Sequence, residues 1–166
     1  FVTLFDGLDF SLISFTLPYL RDELHLDASM MGLVTSAAFL GQMIGSLAGS
    51  YLADLYGRRP VIIWCTVIGA LLTFVTGFAA SAEMIIGLRF LGGLAIGGLL
   101  APAWSLNIES MPSGKKATAV TIIMLGFSIG GAAAGQVTNL LAPLHGWQSV
   151  FFACGAGTMA LALILV

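Results

Sequence analysis

The chain has 166 residues, of which 58% are hydrophobic and 8% are Asp, Glu, Lys or Arg, and its mean hydropathy is +1.03. A soluble domain carries roughly a quarter charged residues, so this composition excludes a water-soluble globular protein. The formal net charge of −2 also excludes a nucleic-acid-binding protein, because such proteins need a basic surface. The composition instead indicates an integral membrane protein whose surface contacts the lipid bilayer.

Long stretches without charged residues set the positions of the membrane spans. A helix needs about 20 predominantly apolar residues to cross a bilayer. We predict six transmembrane helices, at about residues 1–20, 31–53, 61–80, 84–108, 117–140 and 149–166. The last charge-free stretch is too long for one helix, and the segment 143–148 divides it. Because the apolar pattern reaches both ends of the sequence, we expect the chain to be part of a longer polypeptide.

Basic residues are concentrated on one side of the predicted bundle. If the spans alternate in direction, the connections 54–60 and 109–116 share a side. Four basic residues lie there: Arg58, Arg59, Lys115 and Lys116. The connections on the opposite side contain only Arg21. Since cytoplasmic loops carry the excess of Lys and Arg, we expect 54–60 and 109–116 to face the cytoplasm.

The second and fifth spans share a sequence pattern. Both contain LGxxIGxxA, beginning at Leu40 and at Leu125, and the connections that follow them, 57–61 and 146–150, also match. Each span is the middle one of three, and two triplets place equivalent spans in opposite directions. The pattern predicts an all-α membrane protein built as a 3+3 inverted repeat, a common plan of secondary transporters. The glycines spaced four residues apart predict close helix packing.

The sequence contains no pattern typical of an enzyme or of a cofactor site. Cys65 and Cys154 lie within predicted spans, where packing is the expected role. The glycine run 92–98 fits neither the dinucleotide-binding nor the Walker spacing and lies in an apolar span. We therefore expect neither catalysis nor a metal or organic cofactor.

Two acidic residues interrupt the first span. A charged group inside a bilayer costs several kcal/mol by most estimates, so such groups are functional candidates. Asp6 and Asp9 are three residues apart and therefore share a helix face. Asp9 lies eleven residues before Leu20, roughly 17 Å at 1.5 Å per residue, which places it near mid-membrane. We predict a reversible proton carrier here, with the proton as coupling ion; alternatively, a longer preceding loop leaves Asp6 at the cytoplasmic surface.

One basic residue, Arg89, lies within the fourth span. Spans 1 and 4 are the equivalent first members of the two triplets, so both are expected to line a central cavity. There Arg89 is predicted to bind the carboxylate of a small organic anion in a bidentate manner, or to pair with Asp9 when the site is empty. In the alternative arrangement its guanidinium extends to the lipid headgroups.

The segment 50–60, SYLADLYGRRP, resembles the GxLaDrxGrR signature of the major facilitator superfamily, with Ser50 and Leu55 as departures. The resemblance implies that residues 1–166 are the N-terminal six-helix transmembrane bundle of a twelve-helix transporter, whose absent C-terminal half is a partner. It also implies a cytoplasmic gate containing Asp54, Gly57 and the two following arginines, Arg58 and Arg59. The segment 89–98 is similar to a span-4 signature whose arginine is linked to proton coupling.

Within that superfamily, the sequence Asp6-Gly7-Leu8-Asp9 is similar to the DGxD motif of the aromatic acid:proton symporters. Glu109 matches a functionally important glutamate of that group and is assigned to the gate; alternatively it is an exposed acid beside two lysines. The span-5 signature of drug exporters is not met, because Gly131 takes the place of its proline. Sialic acid transporters share the GFSxG pattern at residues 126–130.

The favoured interpretation is a proton-coupled symporter of a bacterial inner membrane that takes up a small organic anion by alternating access. An aromatic carboxylate is the preferred substrate. A symporter of sialic acid or a sugar is the alternative within transport. In a different class, the chain is a membrane sensor or scaffold that transports nothing.

Overall fold

A computed structural model describes residues 2–24, 26–109 and 112–165. The described residues form six α-helices and one 3-10 turn and contain no strand. The helices are α1 (Val2–Leu24), α2 (Ala28–Tyr56), α3 (Arg58–Thr76), α4 (Ala82–Glu109), α5 (Lys116–His145) and α6 (Trp147–Leu165), and the turn is Ser113–Lys115. Each helix corresponds to one predicted span, which confirms the all-α prediction. By length and apolar composition, α2, α3, α4 and α5 qualify as membrane-crossing helices.

Several helix boundaries differ from the prediction: α1 continues to Leu24, and α2 extends about three residues beyond each predicted end. Helix α3 ends at Thr76 rather than near residue 80, because the backbone tightens there: the Gly77 amide donates to the Phe74 carbonyl at 3.1 Å. Helix α5 continues through Pro143 to His145, past the predicted end at residue 140. A proline removes one helical hydrogen bond, and this loss falls within the final turn, where the helix is about to end.

Glycines with positive φ form the turns between α2 and α3 and between α5 and α6. Gly57 has φ of 91° and Gly146 has φ of 79°, a region that glycine enters without the steric cost of a side chain. The two glycines occupy matching positions in the two triplets. Their shared geometry confirms that the two connections are equivalent.

Helix packing follows the symmetry of the repeat. Helix α2 packs along α4, and α1 packs along α5. The inverted repeat pairs the first span with the fourth and the second with the fifth, so each of these contacts is the counterpart of the other. Helix α3 packs against α4 and α6. The helices that carry the buried charges, α1 and α4, are thus each held along their length by a glycine-rich partner.

The glycines of α2 allow this close approach. A methyl group on Gly41, Gly45 or Gly49 would overlap backbone atoms of α4; on Gly45 it would overlap the carbonyl group of Leu94. In α5, a methyl group on Gly130 would likewise overlap the backbone of α1. The predicted small-residue contacts are therefore confirmed, with α4 and α1 as the partners.

The two ends of the bundle carry matching polar contacts. At one end Arg58, at the start of α3, pairs with Glu109 at the end of α4. At the other end Gln148 Nε2, near the start of α6, donates to Glu23 Oε1 near the end of α1 at 3.2 Å. Each contact joins the third helix of one triplet to the first helix of the other.

We expect Gly45→Ala to destabilise the bundle by about 1–3 kcal/mol, the usual cost of forcing extra volume into a packed contact. Gly32→Ala is the matched control, because Gly32 belongs to the same helix and a methyl group there meets nothing within 4 Å. Thermal unfolding in detergent, followed by circular dichroism, compares the two variants. Equal melting temperatures would contradict the packing argument.

Candidate functional site

The centre of the candidate site is a buried ion pair between α4 and α1. Arg89 Nη1 lies 3.6 Å from Asp9 Oδ2, and the two side chains are 6% and 12% exposed. The predicted pairing of these residues is confirmed. The alternative in which Arg89 extends to the headgroups does not hold, because its side chain is directed into the bundle.

The Arg89 guanidinium has a hydrogen-bond donor that no described residue uses. Its distance to Asp9 exceeds that of a normal hydrogen bond, and its Nε atom is buried with no partner among the described residues. The guanidinium carbon lies 4.9 Å from the centroid of the Phe151 ring, within range of a cation–π interaction. The group is therefore held in place by charge and by an aromatic face, while donors remain free for an acceptor.

Asp9 is anchored to a third helix by Thr73 of α3. The Thr73 hydroxyl donates to Asp9 Oδ1 at 2.6 Å. Sequence reasoning missed this residue. A signal was present, since Thr66 and Thr73 are seven residues apart and so share a face of α3, and both line the same cavity.

Asp6 lies beside this pair, in a cavity of about 30 Å³ bounded by α1, α3, α4 and α6, here named the α3 cavity. The polar side chains that line it are Asp6, Asp9, Cys65, Thr66, Thr73 and Thr158. Asp6 is 5% exposed, and neither of its carboxylate oxygens has a hydrogen-bond partner among the described residues. The alternative that puts Asp6 at the surface therefore fails. Gly7, between the two aspartates, gives room to the Phe127 backbone of the neighbouring helix α5.

A second cavity, of about 50 Å³, lies between α1, α2 and α4 and is here named the α2 cavity. Asp9 and Arg89 form its charged wall, and Ser14, Thr35 and Gln42 add polar atoms. The apolar part of the cavity wall is formed by Phe10 and Phe39, whose rings meet edge to face with centroids 5.6 Å apart. Neither phenylalanine was predicted as a site residue from the sequence. The cavity combines a cation, a carboxylate and an aromatic surface.

The predicted gate residues lie at one end of the bundle. Arg58 pairs with Glu109, which also accepts a hydrogen bond from Ser105 at 3.2 Å. Asp54 lines a cavity of about 150 Å³ together with Arg58 and Ser105. This arrangement brings Asp54, Arg58 and Glu109 together, and it shows that the connections 54–60 and 109–116 share an end.

The remaining gate residues have different surroundings. Arg59 is exposed and forms no ion pair within the described ranges, and Gly57 provides the positive-φ turn. Glu109 is exposed, which agrees with the alternative prediction of an exposed acid, but the basic residue that it pairs with is Arg58 and not a lysine.

Cys65 and Cys154 are free thiols, and the part of the chain that is described contains no cluster of metal-binding side chains.

The chain belongs to the Major Facilitator Superfamily, whose family model matches residues 1–166. It is 33% identical over 165 residues to the 4-hydroxybenzoate transporter PcaK of Pseudomonas aeruginosa, covering 99% of this chain and 37% of that protein. It is 32% identical over 164 residues to the gallate transporter of Pseudomonas putida, covering 99% of this chain and 36% of that protein. It is also 32% identical over 148 residues to the sialic acid transporter NanX of Escherichia coli, covering 89% of this chain and 36% of that protein. The chain thus spans little more than a third of these relatives.

Solved structures of transporters share the fold. A bacterial homologue of the human lysosomal transporter Spinster superimposes with a TM-score of 0.84 at 23% identity, covering 99% of this chain and 41% of that protein. The xylose transporter XylE of Escherichia coli gives a TM-score of 0.80 at 20% identity, covering 99% and 45%. The family and these relatives are membrane transporters, not enzymes, and the chain is part of a multi-pass membrane protein.

We expect Arg89→Leu to destabilise the bundle by about 3–5 kcal/mol, because the change leaves the buried Asp9 carboxylate without its counter-ion. Glu109→Gln breaks the exposed pair with Arg58 and should leave stability unchanged within error, as is usual for surface pairs. Unfolding in detergent measures both variants. If the two changes proved equally mild, the Arg89–Asp9 pair would not have the structural importance assigned to it.

Proposed function

We propose that the complete protein imports a small organic anion, preferentially an aromatic carboxylate, together with a proton. In this proposal residues 1–166 form the N-terminal six-helix half of the transporter, and a C-terminal half supplies the other wall of the pathway. The observation that most supports this proposal is the buried Arg89 guanidinium, which has an unused hydrogen-bond donor and lines the α2 cavity together with two phenylalanines. The bacterial relatives named for 4-hydroxybenzoate and gallate support this choice of substrate.

The charge of Arg89 selects for a carboxylate. A guanidinium presents its donors in a planar fork that matches two carboxylate oxygens. Burial strengthens the attraction, because the surrounding dielectric is low. Asp9 competes for the same group, so the substrate carboxylate and Asp9 share Arg89 when the site is loaded.

The aromatic wall selects for a ring. Phe10 and Phe39 offer an edge-to-face pair against which a third ring can pack with favourable geometry. The α2 cavity of about 50 Å³ is smaller than the cavity of about 150 Å³ that accommodates benzene in an engineered protein. It therefore has room for the carboxylate and one edge of the ring, and the C-terminal half covers the remainder. Thr35 and Gln42 are positioned for a ring hydroxyl.

Proton coupling is assigned to Asp6 and Asp9. The site holds one fixed cation, Arg89, and these two carboxylates, so it is neutral only when one carboxylate carries a proton. An anion approaches a neutral site more readily than a negative one, which makes binding of the anion favour binding of the proton. No metal or organic cofactor is required for this cycle.

The gate is placed at the cytoplasmic end. Asp54, Arg58 and Glu109 form a polar cluster there, with Gly57 as the turn and Arg59 exposed beside it. In the proposal this cluster stabilises one of the two end states of alternating access. The four basic residues of the two connections orient this end toward the cytoplasm of a bacterial inner membrane.

A sialic acid or sugar symporter is the second candidate. The relative NanX is named for sialic acid, which also carries a carboxylate for Arg89. The polar side chains Ser14, Thr35 and Gln42 of the α2 cavity favour a hydroxylated substrate. Competition by benzoate, 4-hydroxybenzoate and sialic acid against one radiolabelled substrate in vesicles ranks the candidates.

We expect Asp9→Asn to lower pH-gradient-driven benzoate uptake by about tenfold or more, because loss of a buried counter-ion costs well over the 1.4 kcal/mol that corresponds to a factor of ten. Asp22→Asn is the control, since Asp22 is an exposed carboxylate at the end of the same helix. Uptake by membrane vesicles with an imposed pH gradient is measured at equal protein levels. Undiminished uptake by Asp9→Asn would remove Asp9 from the coupling assignment.

We expect Phe39→Ala to raise the KM for benzoate by about 2- to 10-fold, the equivalent of the 0.5–1.5 kcal/mol of one aromatic contact. The KM for cyclohexanecarboxylate, which has the carboxylate without the π-system, should change less. Phe78→Ala serves as the control, because Phe78 packs against Phe74 and Phe152 on the other side of the bundle. A parallel shift for both acids would argue against ring recognition.

A further inference from the structure

The two carboxylates of α1 lie one helical turn apart but differ in their partners. Asp9 has both oxygens engaged: Oδ1 accepts the Thr73 hydroxyl at 2.6 Å, and Oδ2 lies 3.6 Å from the Arg89 guanidinium. Asp6 is more deeply buried than Asp9, yet both of its oxygens lack a hydrogen-bond donor among the described residues. The surroundings of Asp9 suit a charged carboxylate, whereas those of Asp6 suit a neutral carboxylic acid.

The hydroxyl groups around Asp6 point their protons elsewhere. Thr66 donates to the Ile62 carbonyl at 2.7 Å, Thr73 donates to Asp9, and Thr158 donates to the Cys154 carbonyl at 2.9 Å. A hydroxyl has one proton and two lone pairs, so these three side chains offer only acceptors to the α3 cavity. A carboxylate in such a cavity finds no strong donor to compensate its charge, and neither oxygen of Asp6 has a hydrogen-bond partner among the described residues.

We propose that Asp6 holds the coupling proton, while Asp9 serves as the counter-ion of Arg89 and is oriented by Thr73. This inference rests on the proposed symport and assigns its proton to one residue. The proton passes from hydronium on the outer side to an Asp6 oxygen, so that one O–H bond breaks as another forms, and the reverse transfer returns it to water on the cytoplasmic side. Thr73 acts as a positioning residue, since it contacts neither substrate nor proton.

The other ionisable groups near Asp6 do not alter this assignment. Asp9 shares its helix, Cys65 of α3 lines the same cavity, and Arg89 of α4 and Cys154 of α6 lie in electrostatic range of Asp9. Helix α5 packs against α1 but has ionisable side chains only at its ends, Lys116 and His145. Helix α2 has its ionisable side chains in its last turns, Tyr51, Asp54 and Tyr56. Within the described helices, therefore, Asp9 and its partner Arg89 are the only charged groups close to Asp6.

The division of roles explains how the proton controls anion binding. With Asp9 and Arg89 cancelling each other, the protonation of Asp6 alone decides whether the site is neutral or carries one negative charge. A substrate carboxylate is accepted by the neutral form and repelled by the negative form. One proton therefore accompanies one anion, and the site has the same net charge when loaded and protonated as when empty and deprotonated.

Infrared difference spectroscopy of the full-length protein in lipid tests the proton site without transport. We expect a C=O stretching band of a protonated carboxylic acid that titrates in the wild type and disappears in Asp6→Asn. The band should persist in Thr73→Val and Asp22→Asn, and in Asp9→Asn if that variant folds by circular dichroism. A band that survives in Asp6→Asn would overturn the assignment.

Transport by the same variants in proteoliposomes gives the second test. Asp6→Asn should exchange labelled benzoate for unlabelled benzoate at any pH but lose accumulation against a gradient. Thr73→Val should shift the pH profile of uptake, and Thr73→Ser should restore it, because serine keeps the hydroxyl. Accumulation by Asp6→Asn under a pH gradient, or wild-type accumulation that follows Na⁺ instead of protons, would overturn the inference. Absence of any carboxylate uptake by the wild type would refute the proposed function, whereas the infrared result judges the proton site separately.

Discussion

The buried ion pair between Arg89 and Asp9 is the constraint on which the rest of the structure depends. A charged side chain at this depth costs several kcal/mol unless it is paired, so neither residue is tolerated alone. The pair joins α1 to α4, and Thr73 ties it to α3. These contacts fix the rotation of the three helices about their own axes. The α2 cavity and the α3 cavity, which both include Asp9 in their walls, depend on this orientation of the helices.

Such a pair requires backbones that approach closely and rigidly. The glycines of α2 meet α4, and Gly93 and Gly97 of α4 meet the backbone of α2 at Ala38 and Gln42 in return. The contact is thus interlocked from both sides. The glycine run of α4, which has no phosphate-binding pattern, has a mechanical role: it brings the Arg89 helix against the wall of the α2 cavity. Without a hydrophobic driving force between helices in lipid, this shape matching supplies much of the association energy.

Much of this architecture was predictable because it depends on local patterns. Charge-free stretches predicted the six helices, and the matching connections predicted the equivalent turns at Gly57 and Gly146. Asp6, Asp9 and Arg89 could also be selected from the sequence, because an ionisable side chain within a membrane span has a high free-energy cost. Contacts of Thr73, Phe39 and Phe151 were not predictable, because a threonine or phenylalanine in an apolar span costs little wherever it faces. Which of them reaches the site depends on helix rotation, and that is decided by packing between segments far apart in the sequence.

The matching contacts at the two ends of the bundle have a consequence for how the protein acquires its orientation. Two near-equivalent halves that point in opposite directions give the bilayer almost no basis for distinguishing one end from the other. At one turn the glycine is followed by Arg58 and Arg59, and at its counterpart by Trp147 and Gln148. The contact to a glutamate is retained in both, as an ion pair at one end and as an amide hydrogen bond at the other. The exchange of two cationic residues for two uncharged ones breaks the charge symmetry of the two ends, so the direction in which an almost symmetrical bundle enters the membrane depends on very few side chains.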